Sequence, residues 1–371
     1  MKTYLPNKLI NYLAKEFLIS LLLVVSVFIA LILLINFVEE ITFFKDKQIE
    51  NLVLTVMYLA LLKIPNTLIE ISIFIFLFSG ILFFVKIQRN QEVSTILISG
   101  ISKFFPIIIP AIIAFVFGIL IILIATPLSS TFIKYYEQTK RLFSSNENVI
   151  FINNSGLWFI EGLSNGYNII RADKIINNDF KNLNNVTIYN LDMNFNFLKR
   201  IDSKTAQIKN KNWNLENSKI LYGNIDNNLS TNNNYNINFV SSIDIEDLKN
   251  FFSNASAVSF WEINESIKIL NQRGYSADEL KIKLHKYLSL PIYLFGVILL
   301  STFFTIASKN NYNSIFYLFY GLLFGFFLYF LNDLSIAAGK ANKIPLIISV
   351  WSPAIIVVML SIINLLNLNE K

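Results

Sequence analysis

The 371-residue sequence contains no cysteine and a single histidine, His285. The absence of cysteine excludes disulfides, thiolate zinc sites and a thiol nucleophile, and one histidine is too few for a histidine-based metal cluster. Charge is scarce as well, because charged residues make up 15% of the chain, against about 25% in an average soluble domain. Most of this chain is therefore not built to face water.

Nucleotide-binding and hydrolytic motifs are also missing. The nearest candidates for a phosphate-binding loop, GISKFF at 100–105 and GKANK at 339–343, lack the first glycine and the spacing with which backbone amides hold phosphates. There is no G-x-S-x-G and no H-E-x-x-H motif. His285 stands beside Lys283 and Lys286 at the entrance to an apolar run, where an interfacial polar residue is expected. We therefore predict no catalytic residue, no metal, no cofactor and no ATP hydrolysis in this chain.

Apolar residues are abundant, at 54% of the chain with 34 phenylalanines and a mean hydropathy of +0.52. A helix needs about 20 apolar residues to cross the hydrocarbon core of a bilayer. The sequence therefore predicts an integral membrane protein with an α-helical bundle of six transmembrane helices. The six candidate spans are Phe17–Val38, about Leu52–Val85, Phe104–Thr126, Leu288–Ala307, Ile315–Leu331 and Ile344–Ile363.

The second candidate span is too long for one perpendicular crossing and contains Lys63, Pro65 and Glu70. We predict one kinked or tilted helix, with two helices as the alternative, although turn residues for a return loop are absent. Lys63 and Glu70 are seven residues apart and share a helix face. They point either into a cavity or toward the external interface, where a lysine can snorkel.

Lysine and arginine are distributed unevenly around the spans. With the N-terminus inside, the cytoplasmic segments hold Lys2, Lys8, Lys15, Lys86, Arg89, Lys103, Lys309 and Lys371, and the external loops hold Lys45, Lys47, Lys340 and Lys343. Since basic residues favour the cytoplasmic side, we predict that both termini are cytoplasmic. The external lysines either meet the phosphates of an anionic lipid or are solvated. The net charge of +6 is dispersed, which argues against nucleic acid as a partner.

A pair of glycines, Gly321 and Gly325, lies in the fifth span. The G-x-x-x-G pattern permits close approach of two helices. We therefore predict a helix-packing role for this pair, in a contact with another subunit.

The spans enclose a block of different composition. Residues 1–128 hold the first three spans and residues 287–371 the last three, whereas residues 129–259 are rich in Asn, Asp and Lys, with short apolar runs typical of strands. We predict an external all-β domain there, a sandwich or jelly roll. Residues 260–286 read as amphipathic connector helices along the bilayer surface, the second starting after Ser276.

Two stretches of the β block have a distinctive pattern. From Tyr189 to Phe197 apolar residues alternate with Asn and Asp, as in a strand with one buried face. A hairpin turning around Asp192–Asn196 is the competing interpretation. The Asn-rich stretch NNLSTNNNYNINF at 227–239 is predicted to be a low-complexity loop.

The stretch EVSTILISGIS at 92–102 is unusually regular for a short loop between spans. Its apolar residues have helical spacing, and its other face begins with Glu92 and continues with hydroxyl side chains. Membrane-surface helices usually carry Lys or Arg on the polar face, so we favour a protein partner over lipid. The predicted helix covers about 89–102, and the residues proposed to contact that partner are Glu92, Val93, Ile96, Leu97 and Gly100.

Several segments together resemble the LptF/LptG permeases of lipopolysaccharide export. RNQEVSTILISGIS is similar to the coupling helix of that family, with Ile98 at about the place of the family's usual arginine. The resemblance continues, in order, through KIPNTLIE, Ser79-Gly80, Thr126-Pro127, GLWFIEG, ADKI, NVTIYNLD, WNLEN, HKYLSLPIYLFGVIL and WSPAII. The VEEITFFKDKQIE loop and the GLWFIEG strand resemble LptG more than LptF.

The resemblance implies a function and a set of partners. The chain would be one permease subunit of an ABC transporter in the inner membrane of a Gram-negative bacterium, paired with a related LptF/LptG-type subunit, an LptB-type ATPase dimer and an LptC-type bitopic protein. Lipopolysaccharide would leave the membrane through a cavity between the subunits and pass along a periplasmic jelly roll. Lys45, Lys47 and Lys63 would contact lipid phosphates.

Two other functions fit the same residues. One is a membrane anchor that transports nothing and whose β domain binds a periplasmic partner. The other is an ABC permease for a different lipid or lipoprotein.

Overall fold

The computed structural model describes residues 7–45, 51–102, 104–143, 149–153, 156–163, 165–175, 181–209, 211–222, 230–241, 243, 257–272, 276–305 and 314–369. The chain divides into two compact units. The first, called the membrane unit, comprises Met1–Tyr136, Ser256–Trp261 and Lys281–Lys371 and is helical. The second, called the β unit, comprises Glu137–Ala255 and Glu262–Leu280 and is built around a sheet.

Helices occupy the described residues of all six predicted spans, apart from the bend at Ile71 in the second, Phe104 at the start of the third and residues 344–345 at the start of the sixth. They are α1 (Asn7–Phe44), α2 (Leu52–Glu70), α3 (Ser72–Arg89), α4 (Glu92–Ile98), α5 (Phe105–Leu120), α6 (Thr126–Leu142), α7 (Phe260–Gln272), α8 (Asp278–Thr305), α9 (Ser314–Lys340) and α10 (Leu346–Asn369). A π-helical segment, Ile121–Ala125, joins α5 to α6. Seven helical stretches in the described part of the chain are long and apolar enough to cross a membrane, because the second predicted span divides into α2 and α3.

Helices α2 and α3 lie one after the other along α1. Near one end of α1, the side-chain amide of Asn36 donates to the carbonyl of Ala60 in α2, at 3.2 Å. Toward the other end, the ring of Phe17 meets the ring of Phe83 in α3 edge-on, with centroids 5.8 Å apart. The C-terminal part of α1 thus contacts α2, and its N-terminal part contacts α3. The two shorter helices therefore run antiparallel to α1, one after the other.

The junction of α2 and α3 is a bend and not a return loop. The dihedral angles of Ile71, φ −96° and ψ 11°, lie outside the helical region. The single kinked helix predicted from the sequence is therefore two helices that meet at a bend. Hydrogen bonding nevertheless continues through the bend, because the Ile71 N–H donates to Thr67 and the Ile71 carbonyl accepts from Ile75. Pro65 lies in the last two turns of α2, where its missing N–H weakens the helix.

Helices α5 and α8 approach each other at Gly118. A Cβ placed on Gly118 would lie 2.5 Å from the Cα of Pro291, a backbone atom of α8. Buried side chains of α1, α3, α5 and α8 form one apolar cluster, so this close approach lies in a shared core. Only glycine fits there without a shift of backbone.

The β unit contains one seven-stranded antiparallel sheet. Its strands are β1 (Val149–Asn153), β2 (Gly156–Leu163), β3 (Gly166–Ile175), β4 (Asn182–Leu191), β5 (Phe197–Lys209), β6 (Asn212–Tyr222) and β7 (Ser230–Val240). Each strand pairs with its neighbours in sequence, in the order β1 to β7. The inserted antiparallel sheet is therefore confirmed, but the predicted all-β block does not begin at residue 129, because α6 continues to Leu142. A sandwich or jelly roll is wrong for the described strands. Those folds need two sheets joined by crossover connections.

One face of this sheet is the core of the β unit. Trp213 is fully buried and meets the rings of Phe159 and Phe239 edge-on, with centroids 5.8 and 6.4 Å away. Its indole N–H donates to the carbonyl of Ile243, at 3.1 Å. Ile243 is itself buried, and Leu270 of α7 packs against the same cluster. The apolar face is therefore covered by residues of its own chain.

The stretch Tyr189–Phe197 forms a hairpin, so the prediction of one continuous strand is wrong and its alternative is correct. Asp192 closes the turn by accepting hydrogen bonds from the backbone N–H groups of Asn194 and Asn196, both at 2.8 Å. Hydrogen bonds from the Asn196 side chain and backbone hold the pKa of Asp192 below its ordinary value. Local turn bonding thus overrides the alternating pattern.

Two further predictions need correction. The Asn-rich stretch at 227–239 was expected to be a loop, yet residues 230–240 are strand β7, paired with β6. Asn disfavours strands only weakly, and the hydrogen bonds of a neighbouring strand outweigh that preference.

In the connector, Ser276 accepts a hydrogen bond from the N–H of Asp278, at 3.3 Å. The helix that starts there is continuous with the fourth span in α8.

Candidate functional site

Helix α4 forms the corner between α3 and α5 and has seven residues, fewer than predicted. It ends because Gly100 adopts a φ of +78°, a conformation that glycine reaches without strain. The N–H of Gly100 donates to the carbonyl of Leu97, and the N–H of Ile101 donates to that of Ile96. This is the Schellman pattern of a helix end. Gly100 therefore terminates the helix and does not extend its apolar stripe.

The apolar stripe of α4 faces the interior of the membrane unit. Ile96 is buried in the main apolar cluster, and Val93 and Ile101 pack against it. Leu97 is half-buried, whereas Ile98 is 87% exposed. The surface that α4 offers to another protein is thus centred on Ile98 and the exposed hydroxyl side chains near it, and most of the predicted contact residues lie beneath that surface.

Glu92, the first residue of α4, is directed toward α1. The hydroxyl of Tyr12 donates to Glu92 Oε1 at 2.9 Å, and the side-chain amide of Asn90 donates to the same oxygen at 3.0 Å. The second oxygen, Oε2, is buried and accepts no hydrogen bond from any residue that the structure describes. The carboxylate therefore links α4 to α1 through its Oε1 atom.

A second contact joins α1 to the same corner. Lys86, in the last turn of α3, donates to Glu16 of α1 at 2.5 Å. Tyr12 and Glu16 were not predicted as site residues, because their partners are 80 and 70 positions away in sequence. The one available signal was their spacing of four, which places both side chains on one face of α1.

A cluster of charged side chains lies toward the other end of α1. Lys63 contacts Glu39 at 2.6 Å and Glu40 at 3.6 Å, and Glu40 is fully buried. The hydroxyl of Tyr136 in α6 donates to Glu40 at 2.7 Å, and Lys63 lies 5.5 Å from the ring of Tyr136. Two carboxylates therefore compensate the charge of Lys63, and the cluster joins α1, α2 and α6.

The remaining predicted lipid contacts are placed differently. Lys45 is exposed immediately beyond α1, and Lys47 lies outside the described residues. Glu70 accepts a hydrogen bond from Asn66 at 2.7 Å, whereas Lys63 is bound to the acidic residues of α1. Lys63 and Glu70 therefore have different hydrogen-bond partners, and the side chain of Lys45 is exposed.

Gly321 and Gly325 pack inside the chain. A Cβ on Gly321 would lie 2.2 Å from Ile81, and one on Gly325 would lie 2.9 Å from Phe74. Both of these neighbours belong to α3. The helix-packing role is therefore supported, but the expected contact with another subunit is replaced by one within the chain, because α3 already covers this face of α9.

Long apolar helices, an inserted antiparallel sheet and a short helix at the corner of two spans define a multi-pass membrane protein. Within the described residues, no group of three or more His, Asp or Glu side chains is arranged to hold a metal ion. The class is therefore defined by its membrane architecture.

The family model for the lipopolysaccharide export system permease LptF/LptG matches residues 11–367, and the chain belongs to this family. No individual curated protein matches the sequence. Membership makes the chain a membrane component of a transporter and not an enzyme, working as an ABC permease with other Lpt components.

Proposed function

We propose that this chain is a permease subunit that extracts lipopolysaccharide from the inner membrane and passes it through a periplasmic β domain toward the outer membrane. The observation that carries the proposal is the family match over residues 11–367, which includes both units and the corner helix α4. In this proposal both termini are cytoplasmic. Residues 1–128 and 287–371 hold the spans, residues 129–259 the periplasmic domain and residues 260–286 the connector at the bilayer surface.

Six crossings are part of the proposal, with α2 and α3 counted as one. The continuous path of these helices along α1 and the hydrogen bonds through Ile71 support this count. Together they have about the length of α1, which is itself longer than the roughly 30 Å hydrocarbon core. A seventh crossing would place α4 on the opposite side of the membrane from the N-terminus of α1.

Helix α4 is the proposed docking element for an LptB-type ATPase dimer. This chain lacks a phosphate-binding loop, so the free energy of ATP hydrolysis has to arrive through a contact with another protein. The exposed Ile98 and the exposed hydroxyl side chains beside it support a contact there. Val93 and Ile96 pack beneath that surface in the apolar cluster. Gly100 ends the helix that carries it.

The other proposed partners are a related LptF/LptG-type permease subunit, an LptC-type bitopic protein and lipopolysaccharide itself. Lys45 is the best candidate for a contact with lipid phosphate, because Lys63 already lies between two carboxylates. No acyl contact is proposed for the apolar face of the sheet around Trp213, because residues of the same chain already cover it. The resemblance of VEEITFFKDKQIE and GLWFIEG favours LptG over LptF.

Co-purification with an LptB-type ATPase tests the docking element. Glu92→Ala and Gly100→Trp should each reduce ATPase recovery, since the first removes the corner carboxylate and the second places a large side chain at a positive φ. Met193→Trp, at an exposed turn of the β unit, is the matched control and should leave recovery unchanged. Normal recovery with both α4 variants would contradict the docking assignment.

Depletion of the protein tests the cargo. Lipopolysaccharide should accumulate at the inner membrane while its surface delivery falls. Normal surface delivery would favour the anchor function, and accumulation of a different lipid would favour a permease with another cargo.

A further inference from the structure

Helix α1 is fastened to the α3–α4 corner at two points on one face. Tyr12 donates to Glu92 at the start of α4, and Glu16 pairs with Lys86 at the end of α3. The two residues of α1 are one helical turn apart. The corner is therefore held on both sides of its bend by the same helix.

The space between these two contacts is filled by core side chains. Leu13 and Phe17 of α1 are fully buried, and Phe17 meets the ring of Phe83 edge-on. Ile96 of α4 belongs to the same apolar cluster. Because close-packed interiors transmit displacement and do not absorb it, α1 and α4 have to move together.

The far end of α1 is fastened as well. Glu39 and Glu40 bind Lys63 of α2, and Glu40 accepts a bond from Tyr136 of α6. Helix α1 has 38 residues, a length of about 57 Å at 1.5 Å per residue. It thus connects the corner at one end to a buried carboxylate that contacts two other helices at the other end.

We propose that Tyr12 and Glu16 are positioning residues for energy coupling. They fix Glu92 and Lys86 to α1, so that a displacement of α4 is passed to α1 and along it to the Glu40 cluster. The hydroxyl of Tyr12 occupies Oε1 of Glu92 and holds the carboxylate in one orientation. This inference rests on the proposed function, in which α4 receives the movement of an ATPase.

The test uses the complete complex of this chain with its LptB-type ATPase, second permease subunit and LptC-type protein, in vesicles containing lipopolysaccharide. ATP hydrolysis and lipopolysaccharide release are measured on the same sample. Tyr12→Phe and Glu16→Gln should each lower the lipopolysaccharide released per ATP by roughly three- to tenfold, the effect of losing one hydrogen bond of ordinary net strength. ATPase rate and thermal stability of the complex should stay near those of the unmodified complex.

Two matched variants separate positioning from folding. Tyr58→Phe removes the hydroxyl of an exposed tyrosine on α2 and should leave the release per ATP unchanged. Exchange of the ion pair, Glu16→Lys with Lys86→Glu, should restore the release that either single change lowers. A purely structural role would instead lower thermal stability and ATPase rate together, and that result would overturn the inference.

The remaining outcomes are distinct. Unchanged release per ATP with both Tyr12→Phe and Glu16→Gln, in a complex that assembles and transports, would overturn the positioning role alone. Failure of the unmodified chain to assemble with the ATPase or to release lipopolysaccharide would overturn the proposed function itself.

Discussion

Lys63 and Lys45 carry the same charge in different surroundings. Lys63→Met should lower the thermal unfolding midpoint of the purified protein, because it removes a cation that lies 3.6 Å from the buried Glu40. The expected loss is about 1–3 kcal/mol, since the Tyr136 hydroxyl still compensates Glu40 in part. Lys63→Arg should restore most of the stability.

Lys45→Met is the companion change at an exposed position. It should leave the unfolding midpoint unchanged and weaken binding of lipopolysaccharide, but not of its dephosphorylated form. Unchanged binding of lipopolysaccharide by this variant, or an equal loss of binding for both lipids, would contradict the phosphate contact.

Trp213 carries a large share of the packing in the β unit. Trp213→Ala should cost about 3–5 kcal/mol, because it opens a cavity beside Phe159 and removes the donor to the Ile243 carbonyl. Hydrogen exchange of the strand amides in the full-length protein reports this loss. Trp261→Ala, at a side chain that is 61% exposed, is the control, and similar exchange in both variants would show that Trp213 does not hold the sheet together.

At the residue scale, the sequence identified notable positions more successfully than it identified the residues that contact them. Glu92 and Lys63 were both identified from the sequence as notable charges, one on a helix face and one within a span. Their partners, Tyr12 and Glu40, are 80 and 23 positions away and belong to α1. Periodicity reports the local face of a helix, but only the folded chain decides which other helix covers that face.

At the scale of elements, Gly118 decides how closely α5 and α8 pack. Gly118→Ala should destabilise the membrane unit, since the added Cβ would lie 2.5 Å from a backbone atom of Pro291. The helix-propensity gain of at most about 1 kcal/mol is smaller than an overpacking cost of about 1–3 kcal/mol. Ile112→Ala, at an exposed position of the same helix, is the control in thermal unfolding, and a higher midpoint for Gly118→Ala would refute this balance.

The elements also show where sequence patterns lose their power. Long apolar runs located each long apolar helix of the described residues, because burial in a bilayer requires a continuous run. The bend at Ile71 and the helix end at Gly100 depend on the backbone conformations of single residues. Hydropathy averaged over a window of residues does not detect them. In the β unit, short apolar runs indicated strands, but alternation gave one strand where a hairpin turns at Asp192, and the Asn-rich stretch hid β7. The order of the strands was not predicted, since hydrogen-bonded neighbours are a property of the whole sheet.

At the scale of the whole molecule, the absence of cysteine makes topology directly measurable. Single cysteines at exposed Ser94 in α4 and exposed Met193 in the β unit provide reactive thiols. With six crossings, a membrane-impermeant maleimide should label Met193→Cys in intact spheroplasts and Ser94→Cys only after lysis. Labelling of Ser94→Cys before lysis would place α4 outside and would favour seven crossings.

The sequential strand order of the β unit bears on how the protein is made. Each hairpin pairs residues that are close in sequence, and hairpins close in about 1–10 μs, whereas a ribosome adds only about 5–20 residues per second. Each strand can therefore pair with the one before it while the next is still being synthesised. The sheet does not have to wait for α8 to α10, so the inserted unit can form without delaying the assembly of the two halves of the membrane unit.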